Sequence, residues 1–178
     1  MKAKLTLTLV ALAAFALPAA AQTETKVLTG KDLTESALVD ALAPADEGIR
    51  TRSFKRDQPL APAKPKSASL LITFETNSAD LTQQAKQQLD IVGRALNAEK
   101  LAQFKFNIEG HADPRGGAEL NQKLSEERAA AVKQYLVQNL NVDAQRLTPI
   151  GKGDKEPLNE KNPAAPENRR VTIVTVTE

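Results

Sequence analysis

The chain has no cysteine, no tryptophan, and one each of histidine, methionine and tyrosine in 178 residues. Without cysteine there is no disulfide, although an exported protein would be permitted one. The same absence removes the residue on which an N-terminal lipid anchor is built. A lone His111 falls short of the three or more nitrogen or sulfur ligands of an ordinary zinc site. His111 with Asp113 lacks a nucleophile at any recognisable spacing, so the pair does not read as a catalytic dyad. No paired carboxylates fall in a glycosidase-like cleft pattern. Beyond residue 21 no run is apolar enough to cross a membrane as a helix, and alternating segments are too few for a β-barrel. An enzyme is therefore not expected, nor a cofactor or metal.

The first 21 residues read as a secretory signal peptide. Lys2 and Lys4 give a basic start, Leu5 to Leu17 an apolar core, and Ala19-Ala20-Ala21 small residues ahead of a cut before Gln22. The formal charge is +2, and removing Lys2 and Lys4 leaves 22 basic against 22 acidic side chains. A nucleic-acid partner is not suggested by such a balance. Residues 22–43 carry −2, residues 44–67 carry +3 and residues 68–178 carry −1.

Four segments follow from these shifts: residues 1–21 as leader, 22–43 as a short helical arm, 44–67 as a basic proline-rich linker and 68–178 as one domain. In the arm, Thr34 offers a cap for a helix bearing Ala37, Leu38, Ala41 and Leu42 on one side. One helix buries no core alone. It docks, binds a partner or stays mobile, and a partly ordered arm is the expectation. In the linker, Pro59, Pro62 and Pro65 favour extended backbone.

Residues 68–178 read strand, helix, strand, helix, strand, strand. The expected elements are a strand Leu70 to Phe74, then a helix from Leu81 to about Ala98, with Asn77, Ser78 and Asp80 as candidate caps. A strand Phe104 to Ile108 and a helix from about Ala118 to Leu140 come next. Strands Arg146 to Ile150 and Arg170 to Thr177 close the domain. Strands alternating with helices argue for a two-layer α/β (α+β) sandwich, a sheet covered on one face by both helices. The connections between the first three strands are long enough for parallel pairing. Period alone leaves the strand order open.

The densest motif runs I-E-G-H-A-D-P-R-G-G-A-E-L-N-Q-K-L-S-E-E-R-A from Ile108 to Ala129. It places a carboxylate, Asp113, and a guanidinium, Arg128, beside the start of the second helix. Asn121 and Leu124 share a helical stripe with Arg128. Such a site suits a zwitterion. Arg128 offers a planar fork for a carboxylate, and the helix start adds unpaired N–H groups and a positive dipole end. In the unliganded protein Asp113 and Arg128 are expected to pair.

Gly110, His111, Asp113, Gly116, Asn121, Leu124, Ser125, Arg128 and Ala129 stand in the register of G-H-[TA]-D-x-x-G-x-x-x-[YL]-N-x-x-L-S-x-x-R-A. The stretch resembles the OmpA-like peptidoglycan-binding domain. Phe74 to Leu81 resembles the family's F-x-x-x-S-x-x-L. Arg146, Gly151, Gly153 and Pro157 resemble its R…G-x-G-x-x-x-P, and Asn168-Arg169-Arg170-Val171 its N-R-R-V close. Ala112 stands where threonine is commoner, Leu120 where tyrosine is frequent, and Arg115 adds a basic residue near the site. The resemblance implies the OmpA-like fold with a mixed sheet, and a non-enzymatic module. Such a module binds peptidoglycan through diaminopimelate and tethers a periplasmic, outer-membrane-associated protein to the wall. Lacking a cysteine, the chain stands apart from the lipid-anchored branch. Carried over by position, Asp113 takes the ligand ammonium and Arg128 its carboxylate. Asn121 and Leu124 line the groove, and Thr76 and Asn77 form its rim. His111 is expected to shape the loop through hydrogen bonds. Asn168-Arg169-Arg170 positions the last strand, with ligand contact by Arg169 the alternative. The competing reading is an envelope adaptor whose residues 22–67 bind a partner protein.

Overall fold

The computed structural model describes residues 26–28, 32–44, 66–72, 74 and 78–176. Residues 1–21, expected as a leader, and nearly all of residues 44–67, expected as a linker, lie outside them. Five strands, β1 (Lys26–Leu28), β2 (Ser67–Leu70), β3 (Lys105–His111), β4 (Leu147–Gly153) and β5 (Val171–Val176), form one sheet. Three helices, α1 (Glu35–Leu42), α2 (Gln83–Asn97) and α3 (Ala118–Leu140), complete the described elements with two short 3-10 turns.

The sheet order is β1-β2-β5-β3-β4. β1 runs parallel to β2 and β3 parallel to β4, while β5 lies antiparallel to both β2 and β3. The sheet is therefore mixed, as expected. β2 and β3 do not pair, because β5, last in the chain, inserts between them. Alternation sends one row of each strand to the helical layer. Leu28, Leu70, Val171, Gly110 and Gly151 stand in one such row, and Ala68, Ile173, Ile108 and Pro149 in the next.

Most elements fall where the periodicity predicts them, with shifted ends. The first strand of the main domain is Ser67–Leu70, not Leu70 to Phe74. Ser67 to Leu70 pair with Val174 to Val171, and the Ser69 and Thr172 hydroxyls meet at 2.8 Å in a buried position. The Ile72 N–H turns back to the Leu70 carbonyl at 2.9 Å, which ends the strand, and Phe74 makes only an isolated bridge to Leu81. α2 begins at Gln83 because the Thr82 hydroxyl accepts the Ala85 N–H at 3.1 Å. Ser78 and Asp80 bond each other instead. Arg146 ends the 3-10 turn Ala144–Arg146, so β4 starts at Leu147. α3 has the expected bounds and closes on Asn141 at φ 54°, a left-handed residue that asparagine tolerates.

The N-terminal segment corrects the expectation of a partly ordered arm. Thr34 caps α1 as foreseen, accepting the Ala37 N–H at 3.2 Å. The apolar stripe is in the main core: Leu28, Leu33, Leu38, Val39 and Leu42 join the same buried cluster as Leu89, Phe106 and Ile108. The Thr175 hydroxyl of β5 donates to the Leu42 carbonyl at 2.7 Å, tying the end of α1 to the sheet. The sheet thus gains a fifth strand and its helical layer a third helix.

Glycine lets α3 lie close on the sheet. Gly110 and Gly151 face each other across β3 and β4. A Cβ on Gly110 would meet the Ser125 backbone carbonyl, and one on Gly151 would meet Glu126 and Ser125. Ser125 spans the same contact, its hydroxyl accepting the Gly153 N–H at 2.9 Å. This packing fixes the first half of α3 over the C-terminal ends of β3 and β4, where the motif residues gather.

Candidate functional site

The loop after β3 turns on Asp113. Asn121, one turn into α3, holds that loop: its amide donates to the Asp113 carbonyl at 2.9 Å, the Gly116 carbonyl at 3.3 Å and the Asp154 carboxylate at 3.0 Å. From the opposite side comes Arg169. It leads into β5 behind Asn168, a fully buried residue whose amide donates to the carbonyls of Asn159, Asn162 and Pro163. Phe74 and Arg128 close the remaining side.

These residues line a groove of about 670 Å³, with Ala112, Asp113, Arg115, Gly116, Leu120 and Leu124 among its walls. Four of the expected site residues, Asp113, Asn121, Leu124 and Arg128, are brought together there. Thr76 and Asn77 lie outside the described residues. Asn121 reaches the groove with its amide donors already committed, so it positions the loop rather than offering free donors.

The expected pairing of Asp113 with Arg128 does not occur. Asp113 is buried and binds Arg115 and Arg169. Its Oδ1 accepts from Arg115 N at 3.1 Å and Nε at 3.0 Å, and its Oδ2 from Arg115 Nη2 and Arg169 Nη1, both at 2.7 Å. These bonds, those from Arg115 foremost, hold the carboxyl well below the usual carboxylate range against the opposing effect of burial. Arg128 instead donates Nε to the Ser78 carbonyl at 3.2 Å and lies over the Phe74 ring, 4.8 Å from its centroid. Burial, then repulsion from Arg169, lowers its pKa, yet a guanidinium stays charged at neutral pH. Among the described residues no carboxylate is paired with Arg128.

Ten residues separate Ala118 from Arg128, about 15 Å along a helix axis. The sequence also passes over Phe74 as a platform for Arg128. The F-x-x-x-S spacing was its only signal, and it marks Phe74 and Ser78, the two groups that hold Arg128 in place.

His111 departs from expectation too. It is buried, and neither ring nitrogen has a hydrogen-bond partner among the described residues. Burial, then Arg170 and Lys152, push its pKa down to about 3. Glu109, His111 and Glu156 bring one ligand atom each within 4.8 Å of one another. The Lys152 ammonium already stands among them, 3.4 Å from Glu109 Oε1 and 3.0 Å from Glu156 Oε1. The negative charge that would draw a metal ion is met by that lysine.

Residues 73–170 match the family model described as the OmpA family. Omp38 of Acinetobacter baumannii is 33% identical over 156 residues, which cover 85% of this chain and 41% of Omp38. The chain thus spans less than half the length of that relative. A peptidoglycan-associated lipoprotein of Pseudomonas putida is 31% identical over 147 residues, covering 81% of this chain and 83% of the relative. The solved peptidoglycan-associated lipoprotein of Burkholderia pseudomallei has a TM-score of 0.50 at 27% identity, over 61% of this chain and 89% of that one. The periplasmic domain of Helicobacter pylori MotB has a TM-score of 0.55 at 20% identity, over 64% of this chain and 77% of that one, and bears on the fold alone. Among the described residues no helix is long and apolar enough to cross a membrane.

Proposed function

The chain belongs to the OmpA family, and from that premise we propose that it binds peptidoglycan non-covalently through the diaminopimelate of the stem peptide. The diaminopimelate side chain ends in a carboxylate and an ammonium on one carbon. Arg128 takes the carboxylate through its planar fork, and Asp113 takes the ammonium. Phe74, Leu120 and Leu124 offer apolar wall to the methylene chain between. Thr76 and Asn77 are retained as rim contacts.

One observation carries this reading: Arg128 lines the same groove as Asp113 with no carboxylate paired to it among the described residues. Two relatives named as peptidoglycan-associated lipoproteins support it. The protein then acts as a binding module rather than an enzyme. It works in the periplasm, held to the wall and close to the outer membrane, consistent with Omp38 being an outer membrane protein by name. The adaptor reading rests on the acidic α1 and the basic proline-rich linker; the apolar side of α1 is buried in the core, which leaves its charged side and the linker to meet a partner.

Sedimentation with purified sacculi tests the proposal. Arg128→Ala should weaken pelleting about ten- to a hundredfold, the range for losing hydrogen bonds to a charged group. A folded Arg128→Ala protein that pellets like the parent would sink it. Calorimetry with free meso-diaminopimelate, against lysine as control, then asks whether the second carboxylate is read.

A further inference from the structure

A carboxylate offers about four lone-pair sites, and on Asp113 four donors occupy them. Oδ1 holds Arg115 N and Nε, and Oδ2 holds Arg115 Nη2 and Arg169 Nη1. If the groove is a diaminopimelate site, as proposed above, an incoming ammonium finds no open acceptor on Asp113. One donor must leave. The two guanidiniums differ in how easily they go. The Arg169 side chain is 38% exposed and follows the buried Asn168 clasp. The Arg115 side chain is 63% exposed and springs from the loop Pro114-Arg115-Gly116-Gly117. Rotating it away moves no backbone, so the Arg115 N–H keeps its bond to Oδ1.

We infer that Arg115 is a displaceable latch on Asp113, which a zwitterionic ligand exchanges for its own ammonium group. With the latch open, Oδ1 keeps Arg115 N, Oδ2 keeps Arg169 Nη1, and each oxygen has one free site. That arrangement suits an ammonium, which brings three donors. The released guanidinium stays at the groove edge with Arg128 and Arg169, where ligand carboxylates arrive. A dicarboxylate without an amine gains nothing from opening the latch. Arg115 therefore sets how strongly the site prefers a zwitterion to a plain dicarboxylate, at the cost of some affinity.

The test compares the whole chain with Arg115→Gln by calorimetric titration. The ligands are meso-diaminopimelate and pimelate, which has the same carbon chain and carboxylates without the amines. Arg115→Gln should bind diaminopimelate about two- to fivefold tighter, the span an exposed ion pair covers, and pimelate no tighter. Arg115→Lys keeps a charge without the bidentate fork and should gain less. Diaminopimelate binding that is unchanged or weaker in a folded Arg115→Gln protein overturns the latch, as does an equal gain for both ligands. Sacculus pelleting separates the two layers. If parent and variant both fail to pellet, the groove reading fails and the latch with it. If both pellet with equal affinity, the latch alone fails.

Discussion

His111 is a point of acid sensitivity. In the unfolded chain its imidazole titrates near 6.5, and in the fold burial, Arg170 and Lys152 hold it down to about 3. Between these values the unfolded state binds a proton that the folded state refuses. The contribution is fully present above about 6.5 and is lost as pH falls toward 3, with a slope of about 1.4 kcal/mol per pH unit. Asp113, also lowered, adds to the same trend only below its ordinary 3.8. Denaturant unfolding at pH 7 and pH 5 should show the parent losing stability on acidification and His111→Phe losing much less. Equal losses would place the acid sensitivity elsewhere. The motif brings both residues to the end of β3, but the expected Asp113–Arg128 pair and the expected hydrogen bonds of His111 are absent among the described residues. Asp113 to Arg169 is a contact across 56 residues, and no local spacing reports whether a loop carboxylate meets the guanidinium on the helix that follows it or one arriving with the last strand.

At the level of elements, the contact of α3 with the sheet is the one the site depends on. Gly110→Ala should push the Ser125 backbone, and Gly151→Ala should push Glu126 and Ser125. Each should cost about 1–3 kcal/mol, as overpacking does, and should weaken sacculus binding by shifting α3 and with it Arg128. Thermal melts alongside pelleting would check this. Full stability with intact binding would mean that α3 has slack the geometry does not suggest. The length of α3 was legible because helix-forming residues run from Ala118 to Leu140 without a proline or glycine. The first strand was misplaced by three residues because Leu70 to Phe74 is the more apolar stretch. Pairing with β5 selects Ser67 to Leu70 instead, where Ser69 can meet Thr172.

For the whole molecule, the N-terminal segment and the main domain share one core. Leu38→Ala should lower global stability by about 2–5 kcal/mol, the usual cost of truncating a fully buried leucine. Unfolding followed by far-UV circular dichroism should remain a single transition. A change below about 0.5 kcal/mol, the scale of surface substitutions, would return α1 to the status of a loose arm. Removing residues 22–67 is then a change to the fold as well as to any partner surface, so binding experiments belong on the whole chain.

The sequence by itself determined the element types of residues 68–178, the extent of α3, the gathering of motif residues at the end of β3 and the family resemblance. Periodicity and fixed offsets are written along the chain at short range. Tertiary structure alone decided that β5 enters between β2 and β3, that α1 spends its apolar face on the common core, and that Asp113 meets Arg169 while Arg128 rests on Phe74. Each of these depends on which distant surfaces close on one another. That choice follows from burying the most apolar area while leaving few buried polar groups unpartnered, a condition on the whole chain at once.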